Sequence, residues 1–333
     1  MPETSAVRPS AARILAAFAA VYVVWGSTYL AIRIAIETLP PLLMAGARFL
    51  LAGTLLYAFM RLRGVPAPER RHWTSTALIG LLLLLFGNGA VVMAERTVPS
   101  GVAALLVAMV PMWMVLLEWL RRGGTRPTGR TIIGLVIGFA GMVLLVGPGG
   151  FVGGDRVDPL GAGLVLVGSL AWAAGSIYSR GAALPKSAFL ATGMEMMWGG
   201  VWLVLAATVL GEWGAVDPSA FTTRSVLAFL YLVVFGSLIG FTAYIWLLGV
   251  TTPARVSTYA YVNPVVAVLL GWALLDEPLG ARVLGAAAII VAAVAVITMG
   301  KRPQAAPVAA AESAKAAGER AGAGAGQGRR SAA

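Results

Sequence analysis

Ten times along this chain an apolar run reaches roughly twenty residues, the length that crosses about 30 Å of hydrocarbon. The runs lie at roughly 14–33, 42–60, 75–94, 99–120, 131–147, 159–178, 187–210, 225–248, 254–275 and 281–299. A backbone in lipid has no water to bond, so each run reads as a transmembrane helix closing its own hydrogen bonds. The loops between them are short, and many carry Pro or Gly, as in Pro40-Pro41, Gly147-Pro148-Gly149-Gly150 and Asp217-Pro218. The first run follows Arg13 and continues through Trp25-Gly26-Ser27-Thr28-Tyr29-Leu30 to about Ile32. That exceeds the roughly 7–15 residues of a secretory h-region, so it reads as a retained span. Residues 300–333 have no apolar periodicity and are expected to be a disordered tail.

Charge is scarce and uneven. Only 12% of residues are charged, against about 25% in a soluble domain. In a soluble protein a net charge of +11 would point to nucleic acid; here it sets topology. With residues 1–13 inside, nineteen Lys and Arg fall in cytoplasmic segments and five in outer loops. That bias predicts a bacterial-type plasma (inner) membrane protein, multi-pass, with both termini cytoplasmic. The chain has no cysteine and a single histidine, His72, in a charged loop. A thiolate metal site, a disulfide framework and a His-centred catalytic site therefore lack their residues. No metal or cofactor is implied. The expected partners are the lipid bilayer and a small-molecule substrate, with no nucleic acid; the sequence is silent on oligomeric state.

One stretch departs from the rule of apolar span centres. Tyr259-Ala260-Tyr261-Val262-Asn263-Pro264 places two tyrosines, an asparagine and a proline at membrane depth. Pro264 donates no N–H and crowds the carbonyl of Ala260. A loosened carbonyl is tolerated there only against protein or a water-filled cavity, so the stretch is read as a cavity wall. Its counterpart is Val107-Ala108-Met109-Val110-Pro111. Trp25 matches Trp172 in the same way, and Leu39-Pro40 matches Leu184-Pro185. The chain is thus five spans twice, 14–147 and 159–299. An odd number of spans inverts the second copy relative to the first. Inverted repeats mark secondary transporters, with the substrate site near the midplane at the repeat interface. Pro111 and Pro264 become a duplicated hinge. The cavity between them is expected to be polar at Tyr261 and Asn263 and apolar at Met109.

A five-plus-five chain with Trp25-Gly26-Ser27-Thr28-Tyr29 in span one, and Asn263-Pro264 followed by Leu274-Leu275-Asp276-Glu277-Pro278, resembles the drug/metabolite transporter superfamily in its EamA branch. The resemblance covers about 14–299 and implies an all-α integral membrane fold of ten helices in two inverted repeats. It also implies export of small metabolites, amino acids or drugs. The family carries an acidic residue before the loop in both halves. Here the second half has Glu277, while the first has Arg121-Arg122-Gly123-Gly124 and only the earlier Glu118.

The candidate cavity residues are Trp25, Ser27, Tyr29, Arg48, Asn88, Met109, Trp172, Tyr244, Tyr261 and Asn263. A mid-span Trp is out of its interfacial place and favours a cavity wall; the plainer reading is helix packing beside Gly26 and Ser27. Asn263 either binds polar groups of the substrate or caps the carbonyl freed by Pro264. Arg48 lies ~9 Å below the outer edge at 1.5 Å per residue. It either snorkels to the interface, or binds a substrate carboxylate, or gates the outer mouth. Glu195 aligns with Arg48 through the repeat but lies at another depth, so a salt bridge between them is not implied. As a buried carboxyl that can titrate near neutrality, Glu195 is the coupling candidate; the plainer reading is an interhelical hydrogen bond. Glu118 beside Arg121, and Glu95 beside Arg96, read as surface ion pairs. Gly134-x3-Gly138 and Gly236-x3-Gly240 read as close-packing motifs.

The function expected from these residues is a secondary active exporter working by alternating access around spans one, three, four, six, eight and nine. It would be driven by protons or exchange, since no Gly-rich loop with Lys-Ser/Thr is present for ATP. A passive channel or facilitator is the nearest alternative. A membrane-embedded transferase is the remote one, because the only paired acids are Asp276-Glu277 with no His beside them.

Overall fold

Small residues at two helix faces dictate how the two halves meet. In the computed structural model, which describes residues 10–121, 124, 126–146, 157–250, 256 and 259–299, helix α2 (Pro41–Leu62) packs against α7 (Ala188–Val209). A Cβ on Gly53 would stand 2.6 Å from the Met197 nitrogen, and one on Gly200 would stand 2.7 Å from the Leu50 nitrogen. Only glycine lets the backbones approach so closely. Gly46 faces Gly200 while Gly53 faces Gly193, so the helices run antiparallel. Gly46 and Gly53 also stand to Gly193 and Gly200 as Arg48 stands to Glu195. The seam is symmetric, with equivalent helices of the two repeats crossing on equivalent glycines.

The other rods are α1 (Ala11–Ala35), α3 (Arg70–Ala94), α4 (Ser100–Leu120) and α6 (Pro159–Ser179), with α5 (Gly129–Val146), α9 (Tyr259–Leu275) and α10 (Ala281–Met299). Helix α8 is built of Thr223–Tyr231, Leu232–Ile239 and Gly240–Val250. No strand occurs among the described residues. Seven rods, α1 to α4 and α6 to α8, are long and apolar enough to cross a membrane, while α5, α9 and α10 are apolar but shorter. The buried core runs in clusters between helices, one of them joining Phe49, Met196 and Leu203 across α2 and α7. Leu51, Leu55, Phe59, Val136, Leu160 and Val209 point outward and exposed, as a lipid-facing surface requires.

The two expected hinges differ. Span four divides into Ser100–Val107 and Val110–Leu120, and Pro111 sits in the first turn of the second piece, where its missing N–H costs nothing. Pro264 sits inside one continuous helix. The tail at 300–333, residues 1–9 and Ser257 lie outside the described residues, as does the side chain of Tyr261.

Candidate functional site

Three rods contain stretches wound as π-helix: Ala20–Val24 in α1, Leu81–Gly89 in α3 and Leu232–Ile239 in α8. The last two occupy equivalent places in the repeats. A wider turn misaligns backbone carbonyls and N–H groups, and such turns often mark functional sites. The side chains singled out in the sequence gather around them.

Trp25 follows the first π stretch, and its indole N–H donates to the Gly236 carbonyl in α8 at 3.2 Å. Its ring lies 5.3 Å from Phe241, 5.1 Å from Tyr244 and 5.3 Å from Tyr259, centroid to centroid. These four rings form one aromatic wall across α1, α8 and α9. The Gly236-x3-Gly240 pair makes room for it, because a Cβ at 240 would collide with the indole. Ser27, two residues on, shares a 2.6 Å hydrogen bond with the Tyr231 hydroxyl.

Arg48 reaches the same stretch of α8. Its Nε donates to the Ser237 hydroxyl at 2.9 Å, and its Cζ lies 4.7 Å from the centre of the Phe49 ring. A Cβ on Gly236 would stand 3.0 Å from Arg48 Nη2. The residue is 3% exposed, so it does not snorkel to the interface. Its Nη1 is buried with no hydrogen-bond partner, and it joins none of the ion pairs among the described residues. Glu195 is not its counter-ion. A buried guanidinium with an open donor and no carboxylate is costly unless something else supplies the negative charge.

Glu195 lies instead with Trp172. Both line a narrow cleft between α3, α6, α7 and α8, together with Leu83, Leu84, Thr192, Met196 and Phe241. Trp172 packs over Gly87, much as Trp25 packs over Gly236. Asn88, next to Gly87, has a buried carbonyl oxygen without a donor. Arg48 Nη1 and Asn88 Oδ1 are thus both unmet polar atoms at membrane depth.

The remaining candidates fall elsewhere. Asn263 is buried, and with its amide nitrogen turned toward acceptors it donates to the carbonyls of Tyr259 and Tyr22 at 3.3 and 3.2 Å. It therefore ties α9 to the π stretch of α1, capping the carbonyl at Tyr259 rather than the one freed by Pro264. Met109 is fully enclosed with Met112, Val115, Leu135 and Ile297; it is core packing and does not line the cleft of Glu195 and Trp172. Tyr29 packs against the buried cluster that contains Val91 and Leu105.

The ends of the helices away from the termini carry the polar stitching between halves. Glu212 accepts from the backbone nitrogens of Leu42 and Leu43 at 2.9 Å each, capping α2. Glu277 accepts from Ser100 at 2.7 Å and Gly101 at 3.1 Å, capping α4. Asp276, at φ 52, ends α9 and turns Glu277 toward that cap. Ser225 donates to the Ile34 carbonyl at 2.9 Å. Thr97 donates to Asp158 at 2.7 Å, which, with the Gly161 N–H, holds the Asp158 carboxyl below its ordinary range. Glu118 pairs with Arg121 at 3.1 Å on the surface, as expected. The expected surface pair of Glu95 with Arg96 does not form. Glu95 is completely buried, and Arg33 of α1 donates to its backbone carbonyl. Neither Glu95 nor Ser237 could be singled out from sequence, because their settings are made by packing across helices far apart in the chain.

The EamA-like transporter family matches residues 12–147 and again 159–299. The chain belongs to the EamA-like transporter family. An uncharacterized inner membrane transporter of Escherichia coli K12, YedA, is 44% identical over 301 residues, spanning 89% of this chain and 95% of that one. A probable amino-acid metabolite efflux pump of the same strain is 26% identical over 277 residues, spanning 81% and 90%. A solved crystal structure, 20% identical, covers 86% of this chain and 98% of its own at a TM-score of 0.55, and so shares the fold. The protein is a multi-pass inner-membrane transporter.

Proposed function

We propose that this EamA-family transporter is a secondary active exporter of small organic solutes, and that Arg48 recognises a negatively charged group on them. The single observation that carries the reading is the buried Arg48, with Nη1 unpartnered and no carboxylate paired to it among the described residues. A solute carboxylate would complete the site with a charge-assisted hydrogen bond. The wall of Trp25, Phe241, Tyr244 and Tyr259 then takes an apolar or aromatic body. Ten crossings with both termini cytoplasmic put the stitched ends outside, and alternating access would open and close them around this site. The first-half carboxylate that the family pattern asks for is absent, and Glu277 serves as a helix cap, so the energy source is a proton or an exchanged solute bound elsewhere. The relative named as a probable amino-acid metabolite efflux pump supports both the direction and the solute class.

The test is the extracellular metabolite profile of cells overexpressing the protein beside an Arg48→Ala control. Acidic or zwitterionic solutes should accumulate in the medium only with the parent protein, while both reach the membrane in equal amount. Equal export by the variant would retire Arg48 as the recognition residue. A passive facilitator remains the second reading, and saturable counterflow separates the two.

A further inference from the structure

Glu95 does nothing in the scheme above. It follows the last residue of α3, its N–H bonds the Val91 carbonyl at 2.9 Å, and its side chain is fully buried. Among the described residues, neither carboxyl oxygen has a hydrogen-bond partner. Every element around it contributes a charged or titratable group. Arg33 from α1 donates to Glu95's backbone carbonyl, where its charge is near enough to favour ionisation of the carboxyl without bonding it. Tyr29 from α1 lies close enough to feel the charge of Glu95. Glu277, at the turn after α9, repels it, while its own oxygens are taken by the nitrogens of Ser100 and Gly101. Asp158 at the start of α6 is held by Thr97, two residues on; Arg96, next in the chain, is exposed. The Ser100 hydroxyl is also buried and unpartnered.

We infer that Glu95 is a proton-binding site that latches the outer face: the outer ends of α1, α3, α4 and α9 stay closed while Glu95 carries a proton and part when it is lost. A carboxylate buried without a donor is expensive, whereas the neutral acid costs far less. Beside a second carboxylate whose lone pairs are already used, ionisation is harder still. If these ends separate, water reaches Glu95, and Arg33 can leave the carbonyl to pair with the carboxylate. The ionised form therefore belongs to the open state.

The sign follows from linkage. Burial, and then the charge of Glu277, push the Glu95 carboxyl well above its usual range, with Arg33 pulling the other way. The closed state thus binds the proton more tightly than the open one. Its advantage is full below the ordinary carboxyl value of about 4.3. It is lost as external pH rises through the raised, closed-state value. Acid outside holds the face shut, and alkali outside lets it open. The latch relies on the proposed orientation, with these ends outward, but not on the identity of the solute.

The absence of cysteine makes the test direct. Ala103→Cys places a thiol at a buried site in α4, and Ser219→Cys places one on the exposed loop before α8. Each single-cysteine protein is labelled in intact cells with a membrane-impermeant maleimide over a series of external pH. Thiolate formation speeds both reactions as pH rises, so the ratio of their rates is read against the same pair of cysteines in the Glu95→Gln protein, which carries the thiol chemistry without the latch. The ratio should climb with pH by up to about tenfold per unit, the limit for one proton. With Glu95→Gln, which mimics the protonated form, it should stay low and flat. Glu95→Met, similar in volume and also neutral, serves where the Gln variant fails to fold. Arg33→Gln, removing the cation that rewards ionisation, should move the rise to higher pH. An unchanged pH-dependent rise in either Glu95 variant, or a flat ratio in the parent, overturns the latch. Ser219→Cys labelled only in inside-out vesicles would overturn the orientation instead, which keeps the two failures distinct.

Discussion

A methyl group on Gly53 tests the seam between the halves. Built on the present backbone, the new Cβ of Gly53→Ala would stand 2.6 Å from the Met197 nitrogen and 2.8 Å from the Gly193 oxygen. Ordinary contact begins at 3.4 Å, so α2 and α7 must part by up to 0.8 Å. Both atoms belong to a helix backbone and cannot swing aside. Overpacking of this kind costs about 1–3 kcal/mol. At the about 2–4 °C per kcal/mol of domains of about 150–250 residues, the melting temperature should fall by at most roughly 2–12 °C. Gly200→Ala, its partner across the symmetric seam, would place a Cβ 2.7 Å from the Leu50 nitrogen and should cost a similar amount. The double variant should lose less than the sum, because one separation relieves both clashes. Gly163→Ala in α6, where nothing lies within 4 Å, should hold or gain stability. The assay is thermal unfolding of the purified protein in detergent, followed by size-exclusion fluorescence. Unchanged melting of Gly53→Ala and Gly200→Ala together would refute the seam as the contact that joins the repeats.

Other consequences are simpler to state. Glu212→Ala removes the acceptor of the Leu42 and Leu43 nitrogens and should cost about 0.5–2 kcal/mol, as losing a helix cap does, with Glu212→Gln recovering part of it in the same melting assay. Asp158, its carboxyl held low by Thr97 and then by the Gly161 N–H, should contribute stability that is constant above its ordinary value near pH 4 and is lost as pH falls through its depressed value. Comparing Asp158→Asn with the parent across acid pH should show a gap that closes below pH 4; a gap that stays constant would contradict the assignment.

The all-helical membrane fold and the duplication were legible because each is written in long, contiguous signals: apolar length, and Trp25 matching Trp172. Arg48 was legible as costly, since a cation inside an apolar run is visible in one dimension. What it touches was not, because Ser237 lies 189 residues away. The π stretches of α3 and α8 left no mark in composition; they depend on how the bundle packs. Met109 looked like a cavity residue by its place in the repeat, yet α5 and α10 close over it. Glu95 misled for the opposite reason. Beside Arg96 it looked like a surface pair, and only the approach of α1 and the α9 turn buries it. Asn263 stood between two readings in sequence, and the carbonyls of Tyr259 and Tyr22 engage it as a packing cap.

The account turns on Arg48 as the anion-recognising group of a carrier, and counterflow in proteoliposomes reads that most directly. Vesicles holding purified protein are loaded with the acidic or zwitterionic solute found in the medium profile, and a labelled trace is added outside. The parent protein should concentrate the label transiently above its outside level, with saturable rates, and Arg48→Ala should lose that uptake while still eluting as a folded, monodisperse protein. Uptake by Arg48→Ala equal to the parent's, or flux that never saturates and never exceeds equilibrium, would contradict the account.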